Sequence, residues 1–167
     1  MRALSIYFIR HGLAAERGAA WPDDTKRPLI PRGVARLRKE AAALRALGLG
    51  FDVILTSSLV RAKQTADTLA AGLSPHPPVQ TIGSLAPGGA YAAFLDELEK
   101  HARRSHVGCV GHEPDLGQFA ARMLGAKTPL EFKKSAICCI ELDGLPPNGP
   151  GHLRWFVTPR MLRLVAR

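Results

Sequence analysis

Arg10-His11-Gly12 places a histidine beside a permanent cation, at the end of a run of apolar residues. A neutral imidazole is a good nucleophile toward phosphorus, and a phosphohistidine splits one hard displacement into two easier ones. Arg10 offers a planar, always-charged fork for phosphate oxygens. Gly12 is suited to a tight turn behind the nucleophile. Two further segments carry related chemistry. One is Ser57-Ser58-Leu59-Val60-Arg61-Ala62-Lys63-Gln64-Thr65, and the other is Gly111-His112-Glu113-Pro114. His11, Arg10, Arg61 and His112 are therefore the candidate catalytic residues. Gly12, Ser58 and Glu113 are the candidate substrate contacts around them.

These residues need elements to bring them together. Residues 3–9 read as a strand covered on both faces. A loop-like stretch follows over 13–30. Pro31 can open a helix carrying Val34, Leu37, Ala41, Leu44 and Leu47 inward, and Gly48 and Gly50 close it. Phe51 to Leu55 reads as a second strand. Thr56, Ser57 and Ser58 offer cap oxygens to a helix over about 59–71. A short Val79–Ile82 run, a helix from Tyr91 to about Lys100 and a third central strand from His106 to Val110 come next. Pro114 then opens a helix that Gly125 terminates. Ala136 to Leu142 and Leu153 to Val157 form a late strand pair around the Pro/Gly-rich loop 145–151. Strands alternating with helices imply an α/β fold, three-layer α/β/α with a mostly parallel central sheet, in a single domain over 1–167.

In such a sheet the carboxyl ends of the parallel strands share one edge, where ligands bind. Each of the three chemical segments follows a strand. His11, Arg10, Arg61 and His112 should then meet in one pocket, with helix N-termini directed at it. Taken singly, Arg61 could be a solvated residue in a first helical turn, and His112 a capping or core histidine. The same chemistry at three strand ends argues against coincidence.

Composition sets the wider frame. The chain has 167 residues, 46% hydrophobic and 22% charged, ordinary for one globular domain. Its apolar start is too short for a secretory signal or a membrane span, so a cytoplasmic location with no membrane partner is expected. Three cysteines, two of them adjacent, lack a Cys-x-x-Cys pattern, and the six histidines have no zinc spacing with them. Neither a disulfide framework nor a metal is expected; Cys109, Cys138 and Cys139 read as small buried hydrophobes. The formal charge of +9 suits steering of anionic substrates. No stretch interleaves cations with exposed aromatics, so nucleic acid is not an expected partner.

The sequence resembles the histidine phosphatase, or phosphoglycerate-mutase-like, superfamily, and most of all its small SixA-type phosphohistidine phosphatases. The matching pieces are Arg10-His11-Gly12; Asp24 with Arg27-Pro28-Leu29 and Gly33; Ser57 through Ala66; Gly111-His112-Glu113-Pro114; Ser135-Ala136-Ile137; and Trp155 with Thr158-Pro159. The resemblance implies that His11 accepts the phosphoryl group. It implies that Arg10, Arg61 and His112 hold its oxygens, with no metal or other cofactor. It implies a phosphorylated substrate, foremost a phosphohistidine protein of bacterial phosphorelay signalling. A broad phosphomonoesterase or polyphosphate-related phosphatase is the enzymatic alternative. A phosphate-binding module is the non-enzymatic one, and says nothing for an intact nucleophile. Two departures stand out. Ile30 replaces the Thr or Ser usual after the Arg-Pro-Leu run, which should alter a helix cap. The segment Ser84 to Gly89 lacks the glutamate general acid of many larger members. An alkoxide leaving group needs that proton; a phosphohistidine needs less help.

Overall fold

The computed structural model describes residues 3–166. Its centre is β1 (Leu4–Arg10), whose alternate side chains are buried in different layers. Ile6 and Phe8 enter one core, Tyr7 and Ile9 the other. A strand buried on both faces cannot afford polar alternation, which is why its sequence is almost wholly apolar. Around it the sheet runs β3-β2-β4-β1-β5-β6, with β2 at Val53–Thr56, β3 at Val79–Thr81, β4 at His106–Gly111, β5 at Ile137–Leu142 and β6 at His152–Val157. The β3-β2, β2-β4 and β4-β1 pairings are parallel; β1-β5 and β5-β6 are antiparallel.

Helices cover both faces. α1 (Pro31–Ala46), α2 (Val60–Gly72) and α5 (Pro159–Val165) pack Leu37, Leu44, Ala66, Leu69 and Leu162 on one side. α3 (Tyr91–Glu99) and α4 (Asp115–Leu124) pack Phe94, Leu98, Leu116 and Phe119 on the other. The architecture is thus the three-layer α/β/α arrangement with a mostly parallel sheet. Cys138 and Cys139 fall in opposite layers, and both are buried with Cys109 as free thiols. No helix among the described residues is long and apolar enough to cross a membrane.

Several boundaries differ from the sequence expectation. The second strand begins at Val53, not Phe51. α2 begins at Val60, with Leu59 at its cap position and no side-chain cap. Of Thr56, Ser57 and Ser58, the three residues expected to offer cap oxygens, Ser57 accepts the Leu59 N–H at 3.1 Å, ahead of the helix. Ile30 caps α1 without a side-chain bond, as the substitution there implied. α5 was not anticipated: seven residues are too few for a clear helical period. Its start is nonetheless marked by Thr158, whose Oγ1 accepts from Met161 N, and by Pro159 in the first turn. Gly125 closes α4 at φ +69, a conformation that costs an L-residue but not glycine.

Pairing fixes the site. Arg10 is the register partner of Gly111, and Thr56 that of Val110. The residues that follow all three strands therefore leave the sheet at the same edge.

Candidate active site

His11 is the first residue beyond β1 and is buried. Its N–H is tied to Gly111 O at 3.1 Å, which locks β1 to β4 just below the ring. Its Nδ1 lies 2.8 Å from Gly12 O. A carbonyl only accepts, so Nδ1 carries the proton and Nε2 keeps its lone pair. Burial pulls the imidazole down to about 3, against the Gly12 bond that favours the charged form; the charges of Arg61 and Arg10 and a protonated His112 act with burial. The ring is neutral at pH 7, as a nucleophile must be.

Gly12 performs a different task from the one expected. Its φ is not in the left-handed region. A Cβ there would lie 2.9 Å from Leu37 Cδ1, so glycine permits a close approach of β1's exit to α1. The Gly12 N–H donates to Thr65 Oγ1 at 3.0 Å, and that hydroxyl donates to Arg61 O at 2.7 Å. The backbone behind the nucleophile is thereby tied to the first turns of α2.

His112 follows β4, and its ring centroid lies 5.1 Å from that of His11. Its Nε2 is 2.8 Å from Ser57 Oγ. That oxygen already accepts from Leu59 N–H, and the Ser57 proton has no acceptor but Nε2 among the described bonds. The hydroxyl therefore donates to Nε2 and leaves the proton on Nδ1. That Nδ1 is buried and has no partner among the described residues. It is a donor held in reserve for a ligand. Burial, then the charge of Arg61, pulls His112 down to about 4, with Asp24 opposing.

The arginines are held as firmly. Arg10 Nη1 donates to Phe132 O at 2.7 Å. Arg61, in the first turn of α2, sends Nη1 to Asp24 O at 2.8 Å and Nη2 to Asp24 Oδ2 at 3.0 Å. The Nε atoms of both arginines are buried without a partner among the described residues. Burial lowers both guanidinium pKa values, yet groups with so high an intrinsic pKa stay charged. Arg27 Nε donates to Asp24 Oδ1 at 2.9 Å, and its Nη1 to Ala15 O at 2.7 Å. Asp24 is thus an organiser of arginines. Burial raises its pKa, but the Arg27 hydrogen bond and the charges of Arg61 and Arg27 outweigh that and hold it low. It is a poor proton donor.

These groups line one cavity of about 490 Å³, with walls from Arg10, His11, Ala14, Ala15, Glu16, Arg17, Asp24, Arg27, Arg61, Pro87, His112, Glu113 and Lys134. Its cations are Arg10, Arg17, Arg27, Arg61 and Lys134, facing three carboxylates. An oxyanion is the ligand such a wall suits. A smaller cleft of about 330 Å³ at the opposite edge, around Phe51 and His106, has no comparable cluster.

The structure brings together His11, Arg10, Arg61, His112 and Glu113. It leaves Ser58 out: that side chain is exposed and does not line the cavity. The neighbouring Ser57, the first residue beyond β2, is the one that turns inward, its Oγ 2.8 Å from His112 Nε2. Arg27, Lys134 and Ser57 were missed as site residues. Arg27 had a signal in the Arg27-Pro28-Leu29 segment; Lys134 had none, since it reaches the cavity from a turn before β5.

A family model described as the histidine phosphatase superfamily (branch 1) matches residues 6–86, which span the Arg10-His11-Gly12 and Arg61 segments. An uncharacterized protein of Picosynechococcus sp. is 45% identical over 139 residues, covering 80% of this chain and 82% of the relative. The chain belongs to the histidine phosphatase superfamily. Within this superfamily its relatives place it on the SixA-type branch. Phosphohistidine phosphatase SixA of Escherichia coli K12 is 28% identical over 164 residues, covering 96% of this chain and 98% of SixA. A solved structure of the protein histidine phosphatase SixA complexed with tungstate superposes with a TM-score of 0.84 at 27% identity, over 95% of this chain and 99% of that one. In this histidine phosphatase the segment 84–89, which carries the acid of many larger members, reaches the cavity as Pro87 and brings no carboxylate.

Proposed function

We propose that this phosphatase works through a phospho-His11 intermediate and acts on a phosphohistidine or related phosphoramidate of a protein. One observation carries the reading: the Nδ1 bond to Gly12 O leaves Nε2 of a neutral, buried His11 as the free lone pair in a wall of cations. Nε2 attacks phosphorus, the P–Nε2 bond forms, and the P–N bond of the substrate breaks. The substrate imidazole leaves neutral, because its other ring nitrogen has already taken a proton from solvent. Water then attacks phosphorus, the P–Nε2 bond breaks, and inorganic phosphate leaves with His11 neutral again. Arg10, Arg61 and the Nδ1–H of His112 hold the phosphoryl oxygens as charge redistributes, which is where preorganised donors act most strongly.

The substrate class follows from the proton. Asp24 is occupied by arginines and held low. Pro87 offers no acid. Leaving groups that depart readily therefore suit the site. Glu113 favours a second reading. It lines the cavity half-buried, and burial raises its pKa, partly offset by the Gly117 N–H that its Oε1 accepts and by Arg10. A raised carboxyl is a proton donor, and with it ordinary phosphomonoesters come within reach. Turnover of phosphohistidine peptides beside a panel of alkyl and aryl phosphates separates the two. The first reading expects phosphohistidine and aryl phosphates to be cleaved and alkyl phosphates to be poor. Equal rates on alkyl phosphates would overturn it in favour of the second.

A further inference from the structure

Behind the site lies a buried charge that the chemistry above does not use. Glu40, in the middle of α1, is fully buried. Its Oε1 accepts from Ser135 Oγ at 3.0 Å and from Arg163 Nη1 of α5 at 2.9 Å. Its Oε2 is buried with no partner among the described residues. Burial pushes its carboxyl up to about 7, against the two hydrogen bonds and the charges of Arg163 and Arg36. A leucine or methionine would fill this space without burying a carboxylate. The helix packing alone does not call for a glutamate.

The partner of Glu40 explains its presence. Ser135 has φ +63, a left-handed conformation unusual for a residue with a Cβ. That turn directs the Ser135 N–H at two carbonyls at once, Arg10 O and His11 O, each at 3.1 Å. On its far side Ala136 O accepts the Arg10 N–H at 3.2 Å. The nucleophile's backbone is therefore clamped by the turn 133–136, and Lys134 in the same turn lines the cavity. Held on one side only by backbone bonds, a strained turn would relax; its side-chain anchor is Glu40.

We propose that Glu40 is a positioning residue which, by gripping Ser135, holds a left-handed turn against the backbone of Arg10 and His11 and sets Lys134 over the site. Arg163 completes the grip from α5. The proposal rests on His11 being the nucleophile, and its test separates the two. The experiment is rapid-quench single turnover with an aryl phosphate, reading the rate and the final stoichiometry of acid-labile phosphate. Ser135→Ala removes only the hydroxyl and keeps the Cβ, and with it the strain of the left-handed φ. Glu40→Leu removes the anchor, and Glu40→Gln keeps an acceptor oxygen at the same place.

In Ser135→Ala and Glu40→Leu the phosphorylation rate per active site should fall tenfold or more, on the order of what a small misplacement of reacting groups costs, with stoichiometry retained. Glu40→Gln should recover most of the rate. Should Glu40→Leu not fold, Ser135→Ala alone decides. An unchanged rate in Ser135→Ala would overturn the proposal. So would a loss that follows stoichiometry or melting temperature, because that marks a merely structural role. Absence of acid-labile phosphate in the unmutated protein would instead overturn the assignment of His11.

Discussion

Arg61→Lys keeps the charge and tests the geometry. Arg61 is 3% exposed and uses Nη1 and Nη2 on Asp24 at 2.8 and 3.0 Å, so its guanidinium plane is fixed before any ligand arrives. Its buried Nε has no partner among the described residues. A lysine ammonium can replace one of the two Asp24 bonds and cannot present a planar fork. A charge-assisted hydrogen bond contributes about 1.5–3 kcal/mol, and loss of one preorganised donor at a developing charge costs about 2.7–4 kcal/mol in the transition state. The expected fall in kcat is on the order of 10²- to 10³-fold, with a smaller change in KM, because Arg10 and His112 still hold the ground-state phosphate. Steady-state kinetics on a chromogenic aryl phosphate, with circular dichroism to verify folding, measures it. Activity within about threefold of the unmutated protein would refute the reasoning and make Arg61 a source of diffuse charge only.

Glu113→Gln should lower aryl phosphate turnover only modestly, and the rate across a series of esters should fall steeply as leaving-group pKa rises; a flat series with a large Glu113→Gln loss would assign it as the general acid. Gly12→Ala should cost about 1–3 kcal/mol of overpacking against buried Leu37, a fall of several degrees in melting temperature by calorimetry. pH also tests the buried imidazoles. His11 and His112 fold with pKa values of about 3 and about 4, below the unfolded 6.5. The folded state therefore binds fewer protons, so their contribution is complete above about pH 6.5 and is lost as pH falls through 4 and 3. Glu40, raised to about 7 from 4.5, acts the other way: its contribution is present below 4.5 and lost as pH rises through 7. Melting curves from pH 8 to 4 should thus decline more steeply toward acid in Glu40→Gln than in the unmutated protein.

The core strands were legible because β1 and β4 are buried on both faces and so are almost continuously apolar. The convergence of Arg10, His11, Arg61 and His112 followed from topology, since parallel strands end on one edge. Arg27 and α5 aside, what escaped had no local signature. Ser57 and Ser58 are chemically identical in sequence, and a one-residue shift in where α2 starts decides which turns inward. Glu40 acts through a contact with Ser135, 95 positions away, and Lys134 enters the cavity from a turn before β5; no spacing rule reports either. Gly12 was marked as special, but the reason is the nearness of Leu37 on α1, a matter of packing and not of backbone angle.

The central claim is that phosphorus passes through Nε2 of His11. The most direct measurement is mass spectrometry and acid and base stability of the protein quenched during turnover, beside His11→Asn. The expected result is one acid-labile, base-stable phosphate on His11 in the unmutated protein, and neither phosphate nor turnover in a folded His11→Asn. Turnover by His11→Asn comparable to that of the unmutated protein, or phosphate on another residue, would contradict it.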